Sequence, residues 1–201
     1  MKTHPKSTKV FLCALCVVFF VFFVVKTSSI LDKFVLMKTL LLIRHAKSSW
    51  DSPESSDAER PLNHRGKHDA PMMANRLLKN KVTIDLFVSS PAKRARKTAE
   101  YFLEEYGRKE KELILNSELY EASAKNFAGI VGLLDDKKDT VAIFSHNPGI
   151  TDFANRLTEV KIDNMPTCSV FAVRSDVKNW SEFMDGKKDF WFFEYPKKEN
   201  P

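Results

Sequence analysis

Three short stretches of this sequence place basic and imidazole side chains directly after apolar runs. Arg44-His45 follows Leu-Leu-Leu-Ile, Ser90-Pro-Ala-Lys-Arg94 follows Leu-Phe-Val-Ser, and His146-Asn147-Pro-Gly follows Ala-Ile-Phe-Ser. Arginine is a permanent cation whose donors match the geometry of oxyanions. A neutral imidazole held among arginines is a nucleophile, and their charge favours that neutral form by opposing imidazolium. Two such charges beside helix N-termini suit a dianionic phosphate. The chemistry these residue types could perform is phosphoryl transfer through histidine.

For that, the three stretches must meet. The four apolar residues 40–43 read as a strand buried on both faces. Residues 85–89 and 140–144 read as further strands, with later ones at 169–173 and 190–195. Residues 66–80, 91–106, 126–134 and 148–157 read as helices. Pro91 suits a first turn, whereas Pro71 inside the first helix predicts a later start or a kink. Residues 48–57 form a polar, Ser-rich loop. Strands alternating with helices predict a single α/β domain, a mostly parallel central sheet with helices on both faces. Ligands of such sheets sit outside the carboxyl ends of the strands. That rule brings Arg44, His45, Arg94 and His146 to one edge.

The same residues carry a resemblance. Leu-Leu-Leu-Ile-Arg44-His45-Ala46 resembles the Arg-His-Gly signature of the histidine phosphatase superfamily. Ser90-Pro-Ala-Lys-Arg94-Ala-Arg-Lys-Thr98 resembles that family's second arginine motif, and Phe144-Ser-His146-Asn147-Pro-Gly its second histidine motif. Glu59-Arg-Pro-Leu-Asn-His-Arg-Gly66 is similar to a segment of the short, SixA-like phosphohistidine phosphatase branch. The resemblance spans residues 37–195 and implies a phosphoglycerate-mutase-like fold. It further implies that His45 attacks phosphorus, that Arg44, Arg94 and His146 hold the phosphoryl oxygens with Asn147 alongside, and that water hydrolyses the resulting phosphohistidine. No metal and no cofactor are implied. Leu119-Tyr120-Glu121 matches the pattern that carries the family's proton donor, which makes Glu121 the candidate acid and Glu118 the fallback. Two positions depart from the pattern, Ala46 and Ser145, where the family has glycine. If either needed a positive φ, its side chain would cost about 1 kcal/mol.

Substrate choice in this superfamily comes from insertions that cap the pocket. Only 24 residues separate Glu121 from His146, too few for a large cap beside a helix and a strand. An open pocket suits a phosphorylated protein side chain, and the expected substrate is protein phosphohistidine. The alternatives are a phosphatase of small phosphoester metabolites and, from another class, a non-catalytic phosphate-binding module. A mutase, which must retain and reorient a bisphosphate in a closed site, fits less well.

Composition narrows the field further. The chain has 201 residues, 43% hydrophobic and 29% charged, enough for one globular domain with a real core. Three cysteines, Cys13, Cys16 and Cys168, cannot build a disulfide framework. The net charge is +6, but residues 1–36 alone hold five Lys against one Asp. The folded part is close to neutral, which argues against a nucleic-acid partner. Residues 10–25 are apolar and bounded by Lys9 and Lys26. They read either as a short signal-anchor, giving a membrane-anchored protein, or as the product of a start assigned too early, with Met37 opening a cytoplasmic domain over 37–196 and a frayed tail over 197–201. Cys168-x5-Arg174 formally matches a cysteine-phosphatase loop, but its alternating apolar interior reads as a strand. His64 and His68 have helical spacing without a carboxylate partner motif for zinc. Trp180, Phe190, Trp191, Phe192 and Phe193 read as core or edge packing.

Overall fold

The computed structural model describes residues 37–50 and 56–198. The apolar segment 10–25 and the last three residues lie outside them. From Met37 onward the chain forms one compact unit around a single sheet. The strands are β1 (Lys38–Arg44), β2 (Leu86–Ser89), β3 (Leu113–Leu115), β4 (Thr140–Ser145), β5 (Val170–Ser175) and β6 (Lys188–Glu194). The helices are α1 (His64–Lys79), α2 (Lys93–Glu105), α3 (Ala124–Gly132) and α4 (Gly149–Leu157). Sheet order is β3-β2-β4-β1-β5-β6. The first four of these strands run parallel, and β5 pairs antiparallel with both β1 and β6. The fold is the expected mostly parallel α/β sheet with helices on both faces.

β1 shows why the sheet must be covered twice. Leu40 and Leu42 join Phe127, Phe153 and Trp180 in the core on the α3/α4 side. Leu41 and Ile43 join Met73, Leu77 and Phe102 on the α1/α2 side. All four are 0% exposed, each contributing roughly 1.5–3 kcal/mol of burial. The register pairs Arg44 with Ser145, so β1 and β4 end together and release His45 and His146 at the same edge.

The helices differ from the sequence reading mainly at their ends. α1 begins before Pro71 and runs through it, because Asn63 caps it by accepting the Gly66 N–H at 2.9 Å. α3 starts earlier than expected, with Ser123 accepting the Asn126 N–H. β3 was not anticipated: it is a three-residue edge strand beside β2. Trp180 is fully buried in the core, while Phe190, Trp191, Phe192 and Phe193 belong to edge strand β6, with the Arg174 guanidinium stacked on Trp191. Residues 170–174 of the formal cysteine-phosphatase motif lie in β5, and burial pushes the Cys168 thiol well above its ordinary pKa. His64 and His68 lie in the first turns of α1, and the described residues hold no cluster of three or more potential metal ligands. Among the described residues no helix is long and apolar enough to cross a membrane.

Candidate active site

His45 sits just past β1 with 6% exposure. Its backbone N–H donates to Ser145 O at 3.0 Å, which ties the two strand ends together. Its Nδ1 lies 2.7 Å from Ala46 O. A carbonyl only accepts, so Nδ1 carries the proton and Nε2 keeps its lone pair. Burial drives the His45 pKa well below the ordinary imidazole range; the Ala46 carbonyl opposes this, and His146, Arg94 and Arg44 add to it. The ring is therefore neutral at pH 7.

His146, just past β4, is the second buried imidazole, with ring centroids 5.1 Å apart. Its Nε2 is 2.8 Å from Ser90 Oγ, and Ser90 Oγ in turn takes the Ala92 N–H at 3.3 Å. Its Nδ1 is buried without a protein partner. Burial and then Arg94 push its pKa down to about 3. Gly149 opens α4 immediately after this segment. A Cβ there would lie 1.7 Å from Ala122 O, so the backbone approach behind His146 requires glycine.

The arginines arrive from two directions. Arg44 closes β1 and donates from Nη1 to Met165 O at 2.5 Å. Arg94 lies in the first turn of α2, whose Thr98 hydroxyl donates to Arg94 O at 2.7 Å and accepts the Ala46 N–H at 3.0 Å. Thr98 thus couples the backbone beside His45 to the helix that carries Arg94. The Nε atoms of Arg44 and Arg94 are both buried without a protein partner. Together with His146 Nδ1, these are three buried nitrogens without a protein partner, on the three residues whose charges bear on His45. Unpaired buried donors of this kind are rare and mark a site for an acceptor.

Asp57 is the carboxylate of the site, and sequence reasoning missed it. It takes Arg94 twice, through its backbone O at 2.5 Å and Oδ2 at 2.8 Å, and accepts the Tyr120 hydroxyl at 3.0 Å. Burial works against its charge, but Tyr120 and Arg94 outweigh that and hold its carboxyl below the ordinary range. The Tyr120 ring also packs edge-on against His146. Glu121, beside Tyr120, is exposed with φ at 54° and makes no hydrogen bond or ion pair with Arg44, His45, Arg94 or His146. Glu118 is also exposed, with its backbone N–H donated to Asn116. Asn147 is occupied elsewhere: its amide donates to Asn164 and Met165 O and accepts the Thr151 hydroxyl. It braces the segment whose Met165 carbonyl holds Arg44. Neither Ala46 nor Ser145 has a positive φ, so the two departures from glycine carry no backbone strain. Ser145 instead donates its hydroxyl to Leu119 O at 2.8 Å.

Comparison with known proteins shows what this chain is similar to. The family model of the histidine phosphatase superfamily (branch 1) matches residues 40–132. The 2,3-bisphosphoglycerate-dependent phosphoglycerate mutase of Bartonella tribocorum is 30% identical over 102 residues, covering 50% of this chain and 48% of the mutase. The chain thus spans about half the length of the curated mutase relatives it matches. An uncharacterised chloroplast protein of Arabidopsis thaliana is 26% identical over 155 residues, 73% of this chain and 71% of that one. Among solved structures, SixA of Agrobacterium tumefaciens, described as a candidate phosphohistidine phosphatase, superposes with a TM-score of 0.66 at 21% identity, covering 79% of this chain and 98% of that chain.

Proposed function

We propose that this protein is a metal-independent phosphatase that works through a phosphohistidine on His45, with protein phosphohistidine as its substrate. The observation that carries the reading is the neutral, buried His45, its Nε2 lone pair free, beside His146 and within the field of Arg44 and Arg94, each of the three with a buried nitrogen that has no protein partner. The substrate phosphoryl group binds to these donors. For His146 to donate from Nδ1, the Ser90 hydroxyl donates to Nε2. His45 Nε2 then attacks phosphorus as the bond to the substrate nitrogen breaks, and the three donors stabilise the charge on the transferring oxygens. Water attacks next, the P–Nε2 bond breaks, its electrons return to His45, and phosphate leaves.

The leaving group supports a nitrogen substrate. A phosphohistidine ring protonated on its other nitrogen departs as neutral imidazole and takes no proton from the enzyme. Asp57, kept ionised by Tyr120 and Arg94, favours that protonated ring. We assign the leaving-group side to Asp57 on this basis and give Glu121 no step. Between Tyr120 and His146 the chain is spent largely on α3 and β4, which leaves no inserted cap among those residues. The structural likeness to SixA points the same way.

The test offers the full chain a phosphohistidine peptide and a panel of phosphosugars, with chelator present. The expected result is phosphate release from the peptide with kcat/KM at least about tenfold above any sugar. Release from small esters alone would transfer the assignment to a metabolite phosphatase. Phosphate binding without turnover of any substrate would leave a binding module.

A further inference from the structure

Arg60 lies beside this pocket, paired with Asp57 and acting electrostatically on His146, and the reaction above does not use it. Its side chain is only 12% exposed, and its Nε and Nη1 are buried without a protein partner. Among the described residues its one ion pair, Nη2 to Asp57 Oδ1, spans 3.6 Å, too long for a hydrogen bond. A buried guanidinium with that many idle donors is costly unless something else takes them. Its place is fixed from one side by Trp50, whose ring centre lies 3.6 Å from the guanidinium carbon. Stacking of this kind covers the face of the guanidinium and leaves its N–H edge free. The guanidinium stands beside the site: Asp57 is shared between Arg60 and Arg94, and the Arg60 charge is among those that lower the His146 pKa.

We propose that Arg60 is a third oxyanion-binding arginine of this pocket and that Trp50 is the plate that aims it. The proposal rests on the phosphoryl-transfer reading. Its ligand is an anionic oxygen of the substrate, either on the phosphoryl group itself or on a carboxylate beside the phosphorylated residue of a protein. Arg60 acts in binding, not in bond making. Trp50 is a positioning residue.

The test uses orthovanadate binding by calorimetry, which is independent of turnover, and peptide kinetics, all on the full chain with melting temperatures recorded. R60A should weaken vanadate binding about tenfold or more, and R60K should recover little, because an ammonium neither forks nor stacks. W50A should weaken binding less than R60A, and W50F should restore it. The R60A loss should persist in a D57N background, since Arg60 acts on the ligand directly. A loss confined to the KM of peptides carrying a neighbouring Asp or Glu would identify that carboxylate as the oxyanion. Vanadate and peptide parameters unchanged in a folded R60A or R60K would overturn the proposal. So would a loss that disappears in D57N, which would make Arg60 a mere anchor for Asp57. Failure of the unaltered protein to bind vanadate would overturn the phosphoryl-transfer reading itself.

Discussion

His45→Ala will abolish turnover, with kcat lower by about 10^4-fold or more, the scale seen when a covalent nucleophile is removed. Neither of the two other buried candidates among the described residues can replace it. His146 Nε2 is engaged with Ser90 Oγ, and the Cys168 thiol is buried and held protonated by burial. The variant will still fold: among the described residues the one side-chain hydrogen bond it loses is the local one to Ala46 O, worth about 1 kcal/mol. It will also still bind vanadate, because Arg44, Arg94 and His146 remain. Steady-state release from the phosphohistidine peptide measures the first effect and calorimetry the second. Residual activity within tenfold of the unaltered protein would remove His45 from the mechanism.

Arg94→Ala will lower kcat/KM by about 10^2 to 10^3, the usual effect of deleting one charged donor from a transition state. Two consequences add here. The guanidinium is buried at 5% residue exposure, so water cannot supply an equivalent donor. Its removal also strips Asp57 of two hydrogen bonds, leaving Tyr120 as that carboxylate's remaining hydrogen-bond donor. Arg94→Lys will recover only a small part, since one ammonium cannot meet both Asp57 and a phosphoryl oxygen. Kinetics of the two variants beside Asp57→Asn check this. A loss under fivefold in Arg94→Ala would mean that Arg94 serves Asp57 and not the substrate.

The residues that sit at strand ends were legible in the sequence. Leu40 to Ile43 could only be a strand covered on both faces, and the positions following β1, β2 and β4 then had to share an edge. Pairings across long stretches of chain were not legible. Asp57 reaches Arg94 from 37 positions away, through a loop whose polar composition carries no register. Ser90 and Thr98 were visible as motif letters, but their hydrogen bonds to His146 and Ala46 depend on how α2 docks. β3 was missed because three residues at a sheet edge, Leu113 to Leu115, give periodicity too little length to register. Pro71 pointed to a later start or a kink in α1, whereas the Asn63 side chain, whose capping contact depends on the folded backbone, starts the helix at His64. The strain considered at Ala46 and Ser145 does not exist, since glycine is not required by φ at either position.

The most direct measurement is to mix the full chain with the phosphohistidine peptide, quench within the first turnovers under alkaline conditions, and map the phosphoryl group by mass spectrometry. The mechanism predicts an acid-labile phosphoryl group on His45 that forms before phosphate is released and is absent from His45→Ala. Turnover with no phosphorylated enzyme, or with the label on any other residue, would contradict it.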